Sequence, residues 1–193
     1  MNSSKLAGYI AKSLNVRQAL LDDKSLQSAV LELAIDTSAT LKSGKKVIFA
    51  GNGGSMSDAM HLAAEFVVKY KSERRPLPAI ALATNQATLT AVGNDFSFED
   101  IFSREIEALA VPGDLFIPIT TSGNSENIIR AVDAAIAKGV TVIGLTGQSG
   151  GSLAKKTPCV RVPSIETAFI QEAHILIGHF LCEYVEQELL RGV

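Results

Sequence analysis

Cysteine is scarce in this chain, with only Cys159 and Cys182 among 193 residues. Their separation matches no metal-binding or redox motif, and both sit in apolar stretches, so the sequence predicts buried, reduced thiols rather than a disulfide framework. Long apolar runs are missing too. No stretch reaches the roughly 18 uncharged apolar residues of a membrane span. The N-terminus, MNSSKLAGYIAKSLNV, has polar residues where a secretory signal needs a continuous apolar core. There is no excess of Lys and Arg: the net charge is -2, which argues against a dedicated nucleic-acid binder. The one basic cluster, residues 69–75, contains Glu73 and stops at Pro76, as a solvated loop does. Repeats, low-complexity tracts and linkers are absent. These absences together predict a cytoplasmic protein with neither nucleic acid nor membrane as partner.

What is present suits one domain. An apolar fraction of 47% over 193 residues fills a single core and excludes whole-chain disorder. Short, nearly all-apolar runs alternate with helical patterns, the signature of an α/β fold with a parallel sheet. The predicted strands are Val47–Ala50, Ala79–Ala83, Leu115–Ile119, Val140–Leu145 and Cys159–Val162. Leu26, Val30 and Leu33 recur at helical spacing before a stop at Gly44. Ile128, Ile129, Val132, Ala135 and Ile136 form another stripe, closed by Gly139. A last helix runs from about Ala168 to Leu190. Residues 1–43 exceed what the sandwich needs and read as a helical extension available for subunit packing. Pro118 conflicts with its strand, because it cannot donate to the ladder; an end position or a bulge would accommodate it.

Ligands of open α/β sheets bind beyond the carboxyl ends of the strands, and three clusters belong there or next to it. Gly51-Asn52-Gly53-Gly54-Ser55 follows the first strand and opens a helix. Small residues let backbone amides approach an anion or a sugar closely, although a tight βα turn needs glycines as well. Thr120-Thr121-Ser122-Gly123-Asn124-Ser125 follows the third strand. Hydroxyls and helix-terminal amides can hold a phosphate monoester without a basic side chain. His61 and Glu65, spaced i, i+4, share a helix face and make half a zinc site or an ordinary surface pair. The last helix offers Gln171, Glu172, His174 and His179. At 100° per residue Gln171 and His179 are about 80° apart, and His174 is an equal geometric alternative. All three histidines fall in these two helices.

With these residues identified, the chain resembles the sugar-isomerase (SIS) domain family, and within it the phosphoheptose isomerases. The resemblance runs over essentially the whole chain. It is carried by GNGGS at 51–55, DAMHLAAEF at 58–66, GNDFSFEDIFSRE at 93–105, TSGNS at 121–125, LTG at 145–147 and IQEAHILIGH at 170–179. It implies a three-layer, flavodoxin-like sandwich with a five-stranded parallel sheet, assembled as a homotetramer with sites at subunit contacts. It implies one zinc per subunit on His61, Glu65, Gln171 and His179, which selects His179 over His174. Thr120, Thr121, Ser122 and Ser125 would hold the phosphate. Asn52, Gly53, Gly54, Ser55, Glu65, Asn94, Asp95 and Gln171 would contact the substrate.

The implied activity converts D-sedoheptulose 7-phosphate to D-glycero-D-manno-heptose 7-phosphate through an enediol, the first step toward nucleotide-activated heptose for bacterial surface polysaccharide. Such a reaction needs a base at carbon, an acid or base at the two oxygens, and stabilisation of oxyanion charge. Glu65 and His179 take the proton-transfer roles by resemblance. Some positions depart from the pattern: Thr120 stands where Ser is usual and Pro118 where a small residue is. Lys69 and Phe169 stand where many relatives carry Arg, which keeps another phosphorylated ketose open as substrate. A non-catalytic SIS-domain protein, such as a replication-initiator-associating factor, is the alternative of another class. Retention of His61, Glu65, Gln171 and His179 favours the enzyme.

Overall fold

The computed structural model describes residues 3–190. Two helices open the chain, α1 (Ser3–Asp22) and α2 (Lys24–Lys42). The break between them is Asp23, whose carboxylate accepts the Leu26 amide at 3.0 Å and so caps α2. α2 ends as its sequence predicts: Gly44 takes φ +77°, and the amides of Gly44 and Lys45 return to the carbonyls of Leu41 and Thr40. Then follow β1 (Val47–Gly51), α3 (Gly54–Val67), β2 (Ala79–Ala81), α4 (Gln86–Asp95), α5 (Ser103–Leu109), β3 (Leu115–Thr120), α6 (Glu126–Ala137), β4 (Thr141–Val142), β5 (Gly144–Gly147), β6 (Cys159–Val162) and α7 (Thr167–Leu190).

All strand pairs are parallel, in the order β2-β1-β3-β5-β6, with β4 also on β3. The predicted strand Val140–Leu145 is therefore split in two, and Pro118 is the reason. Even-numbered residues of β3 face β4 and β5: the Phe116 carbonyl accepts the Ile143 amide at 3.1 Å. Pro118 comes next on that side and has no N–H to give back. The ladder skips one rung at Ile143 and resumes in the same register, from Phe116↔Val142 to Ile119↔Leu145. Pro118 thus sits in the interior of the central strand, opposite Ala50, rather than at an end or a bulge.

Each sheet face buries its own core. Phe49, Ile117 and Ile119 face Leu33, Leu62, Phe66, Ile177 and Leu181 from α2, α3 and α7. Ile48 and Phe116 face the other way, onto Phe102 just before α5 and onto Ile106, Ile128 and Val132 from α5 and α6. The three-layer α/β sandwich is as expected, with β4 and β5 as two pieces of one predicted strand. α1 lies on α7, where Tyr9 packs on Phe169 with ring centroids 4.9 Å apart and Lys12 reaches Glu166 at 3.3 Å. Its far side stays apolar and exposed, notably Leu6, Leu14 and Leu21. Among the described residues no helix is long and apolar enough to cross a membrane.

Candidate functional site

Strand order reverses between β1 and β3, since β1 leads out to β2 on one side and β3 lies on the other. A crevice opens at such a point beyond the carboxyl ends, and both loops singled out by composition border it. In the first, Gly53 adopts φ +56° and ψ −121°, a conformation closed to residues with a Cβ. A Cβ on Gly51 would lie 2.4 Å from the Ser55 carbonyl oxygen, so the chain turns back on itself there. Ser55 is buried beneath the turn. Asn52 is locked by a reciprocal amide pair with Asn127 of α6, at 2.9 and 3.0 Å. Asn127 has no place among the sequence candidates. Its one signal is a polar residue, 3% exposed, at the head of an apolar stripe.

The second loop is pinned from behind. Gly123 has φ +69°, and a Cβ there would come within 2.1 Å of the Gly150 carbonyl oxygen. The Ser122 hydroxyl accepts the Asn124 amide at 3.1 Å, and the Asn124 side chain accepts from Ser152 at 2.9 Å. The Thr121 carbonyl accepts from Gly147. Thr120 and Ser125 place their hydroxyls 3.3 Å apart. Ser125 stands at the N-cap of α6 yet makes no side-chain capping bond, its hydroxyl facing that of Thr120 instead. The loop thus presents hydroxyls and the first amides of a twelve-residue helix, the donors an anion requires. Asn94 and Asp95 stand apart from both loops, exposed at the end of α4, where Asn94 donates to Asp95 at 2.7 Å.

The third cluster forms where α3 and α7 run side by side. Gly178 makes the approach possible: a Cβ there would lie 2.5 Å from a methyl of Leu62. The neighbouring residues, His61 and His179, then meet with their Nε2 atoms 3.0 Å apart. Glu65 closes on His61 at 3.4 Å. Tyr70 stacks on the His179 ring at 5.5 Å. Gln171 lies elsewhere, against Gly54, whose added Cβ would be 2.5 Å from its amide nitrogen. Eight residues separate Gln171 from His179, about 12 Å of helix rise. Their nearness in angle around the axis is thus not nearness along it.

The donors are chemically suited to zinc, as two imidazoles, a carboxylate and an amide. The 3.0 and 3.4 Å spacings are close to the ~3.3 Å edge of a tetrahedron with zinc–nitrogen bonds of usual length. Among the described residues, however, no three His, Cys, Asp or Glu side chains close around one point. The arrangement is an open one, with Glu65 beside His61 and Gln171 displaced. Cys182 does not add a thiolate: burial, then the neighbouring Glu65 charge, pushes it up to about 12.

Two further titratable groups flank this cluster. Asp58 lies one turn before His61, and burial raises its carboxyl to about 6 against the pull of His61. Its Oδ2 has no partner. His174 is fully buried and shares a hydrogen bond with the Thr146 carbonyl at 3.2 Å, while its Nδ1 has none. Burial holds it down at about 4, so it is a neutral core residue. Geometry therefore places His179, not His174, opposite His61.

Comparison with known proteins gives the class to which this parallel sandwich belongs. The SIS domain family matches residues 8–147, and the chain belongs to it. Within that family it is similar to the phosphoheptose isomerase of Aneurinibacillus thermoaerophilus, 44% identical over 97% of this chain and 95% of the relative. The phosphoheptose isomerase of Rhodospirillum rubrum is 53% identical over 83% of this chain and 86% of its own length. A solved phosphoheptose isomerase structure from Francisella tularensis superposes with a TM-score of 0.91 at 40% identity, covering 97% of this chain and all of that one. By this kinship the chain is an enzyme of the isomerase class.

Proposed function

We propose that this isomerase acts on a phosphorylated seven-carbon ketose, interconverting D-sedoheptulose 7-phosphate and D-glycero-D-manno-heptose 7-phosphate. The observation that carries the reading is that His61, between two packed helices, meets His179 on one side and Glu65 on the other. It is supported by the hydroxyl loop and by relatives that bear this activity in their names. The product would supply nucleotide-activated heptose for a surface polysaccharide.

Proton transfer between C1 and C2 through an enediol falls to Glu65 and His179, one serving carbon and the other the two oxygens. Glu65 is half-buried, so its carboxylate is partly stripped of water. Thr120, Thr121, Ser122 and Ser125, with the first amides of α6, hold the phosphate. Asn52, kept in place by Asn127, and the backbone at Gly53 and Gly54 face the sugar. Asn94 and Asp95 would join the substrate of a neighbouring subunit from the exposed end of α4. His61, Glu65, Gln171 and His179 would hold zinc, with Gln171 moved from Gly54. The ion, when bound, would polarise the carbonyl as a Lewis acid.

The experiment is an assay of five-, six- and seven-carbon ketose phosphates with and without added zinc. Turnover confined to the seven-carbon substrate and lost on chelation is expected. Preference for a shorter ketose would replace the substrate, and full activity after chelation would remove the metal.

A further inference from the structure

Next to the histidine cluster lies a buried ionic group. Glu186, 3% exposed on α7, accepts three successive backbone amides with one carboxylate: Tyr70 at 2.7 Å, and Lys71 and Ser72 at 3.0 Å each. Consecutive amides turned to one point form an anion-binding nest. Arg74 Nε stands 3.2 Å from the same carboxylate, at ion-pair distance though not aligned as a hydrogen bond, and both side chains are 4% exposed. Burial alone would raise the Glu186 carboxyl, but the three amides and Arg74 hold it below the usual carboxylate range.

The rest of Arg74 points at the catalytic helix. Its Nη2 donates to the Glu65 carbonyl and its Nη1 to the Phe66 carbonyl, both at 2.8 Å. Those are among the last carbonyls of α3, which have no partner inside the helix. The segment fixed by Glu186 begins with Tyr70, the ring stacked on His179. Lys71, next in line, pairs with Glu183 at 2.8 Å and ties the same segment to α7 a second time. One buried carboxylate is therefore joined to the backbone of Glu65 on one side and to the ring over His179 on the other. A surface loop needs no buried ion pair merely to be held, and an unpaired buried charge is costly.

We propose that Glu186 and Arg74 are positioning residues for the isomerisation, acting through the Glu65 backbone and through Tyr70 to set Glu65 and His179 against each other. The inference rests on the assignment of those two residues to proton transfer. It assigns Tyr70 a role through its ring face rather than its hydroxyl. It also separates this group from the phosphate loop, which lies on other elements, so turnover should depend on it and substrate affinity should not.

The test uses the full chain as Glu186→Gln, Tyr70→Leu and Tyr70→Phe, with two readouts. The first is kcat and KM for the ketose phosphate. Glu186→Gln and Tyr70→Leu should lower kcat at least tenfold with KM within twofold of the parent, while Tyr70→Phe retains kcat. The second is the His179 ring proton resonance, shifted by the Tyr70 ring current. It should move in Glu186→Gln and Tyr70→Leu and stay in Tyr70→Phe, whether or not the protein turns over a ketose. A parent without any isomerase activity would defeat the functional reading, while the resonance would still report on the linkage. A folded Tyr70→Leu protein with parental kcat, or an unmoved His179 resonance, would overturn the proposal. Tyr70 is only partly buried, so its variants decide the matter even if Glu186→Gln fails to fold.

Discussion

His61 and His179 place their Nε2 atoms 3.0 Å apart although 118 residues separate them in the chain. Two imidazole nitrogens so close need a shared proton or a cation between them, since two lone pairs would repel. Gly178 and Leu62, one residue away on each helix, permit the approach. Packing of α3 on α7 is thus a condition for this contact as well as for the core.

Removing the proton carriers should abolish turnover without unfolding the chain. Glu65→Gln and His179→Gln should each lower kcat about 10²-fold or more. Neither side chain belongs to the buried core, so the thermal midpoint should change little. A variant with near-parental kcat would take its residue out of the mechanism.

Gly178→Ala should cost about 1–3 kcal/mol of stability by overpacking. The new methyl would meet Leu62, itself 1% exposed and without free space to retreat. The helices must part or Leu62 must repack, and either shift carries His61 away from His179. Denaturant unfolding would show the loss, and reduced kcat should accompany it. A variant as stable as the parent would mean that the contact is loose.

Much of this was readable from the residues, and the gaps have physical causes. Buried parallel strands are short apolar runs, so all five were found within a residue or two. Pro118 signalled a fault in the ladder, but its location at Ile143 depends on which way alternate N–H groups face. α4 and α5 carry weak stripes, with Val92 and Ile106 as their main buried apolar positions. The hydroxyl and glycine loops were visible because composition alone marks them. For Gln171 the sequence supplies the angle around the helix, whereas its place against Gly54 depends on the rise along α7. Glu186 and Arg74 left no trace, because a buried ion pair between distant segments has no spacing to read.

His174 gives the stability a pH dependence. Its folded pKa is lowered from 6.5 to about 4 by burial. Above about pH 6.5 the ring is neutral in both states and the effect is nil. As pH falls below that value the unfolded chain takes up a proton that the folded one refuses, so stability declines until about pH 4. The full loss from this group is on the order of 3 kcal/mol. His174→Gln keeps a donor for the Thr146 carbonyl and removes the titration. Its unfolding free energy should fall less steeply between pH 6.5 and 4 than the parent's. Parallel slopes would show that the ring titrates normally.

The 120–125 loop should bind phosphate through hydroxyls and amides alone. Replacing Ser122 and Ser125 together by Ala should raise KM for the phosphorylated ketose at least tenfold, since each loses a bond to a charged acceptor. Stability should fall only slightly, because the Ser122–Asn124 bond is exposed and Ser125 makes no capping bond. Unchanged KM would place the phosphate elsewhere.

The last prediction concerns assembly. α1 covers α7 with one side and leaves Leu6, Leu14 and Leu21 between 56% and 64% exposed on the other. Ile10, Leu31 and Ile35 extend this surface across α1 and α2. A groove of about 470 Å³ lies alongside, lined by Leu20, Leu26, Val30, Ile177 and Phe180. Apolar area on this scale is a common mark of a subunit contact, and closed symmetry makes dimers and D2 tetramers the usual outcome. Leu14→Glu combined with Leu21→Glu puts charge into the contact while leaving the sheet and both loops untouched. The double variant should shift from a tetramer to a smaller species and lose activity together with assembly. Light scattering coupled to the assay decides it: a parent protein fully active at its monomer mass of 20.4 kDa would sink both the tetramer and the shared site.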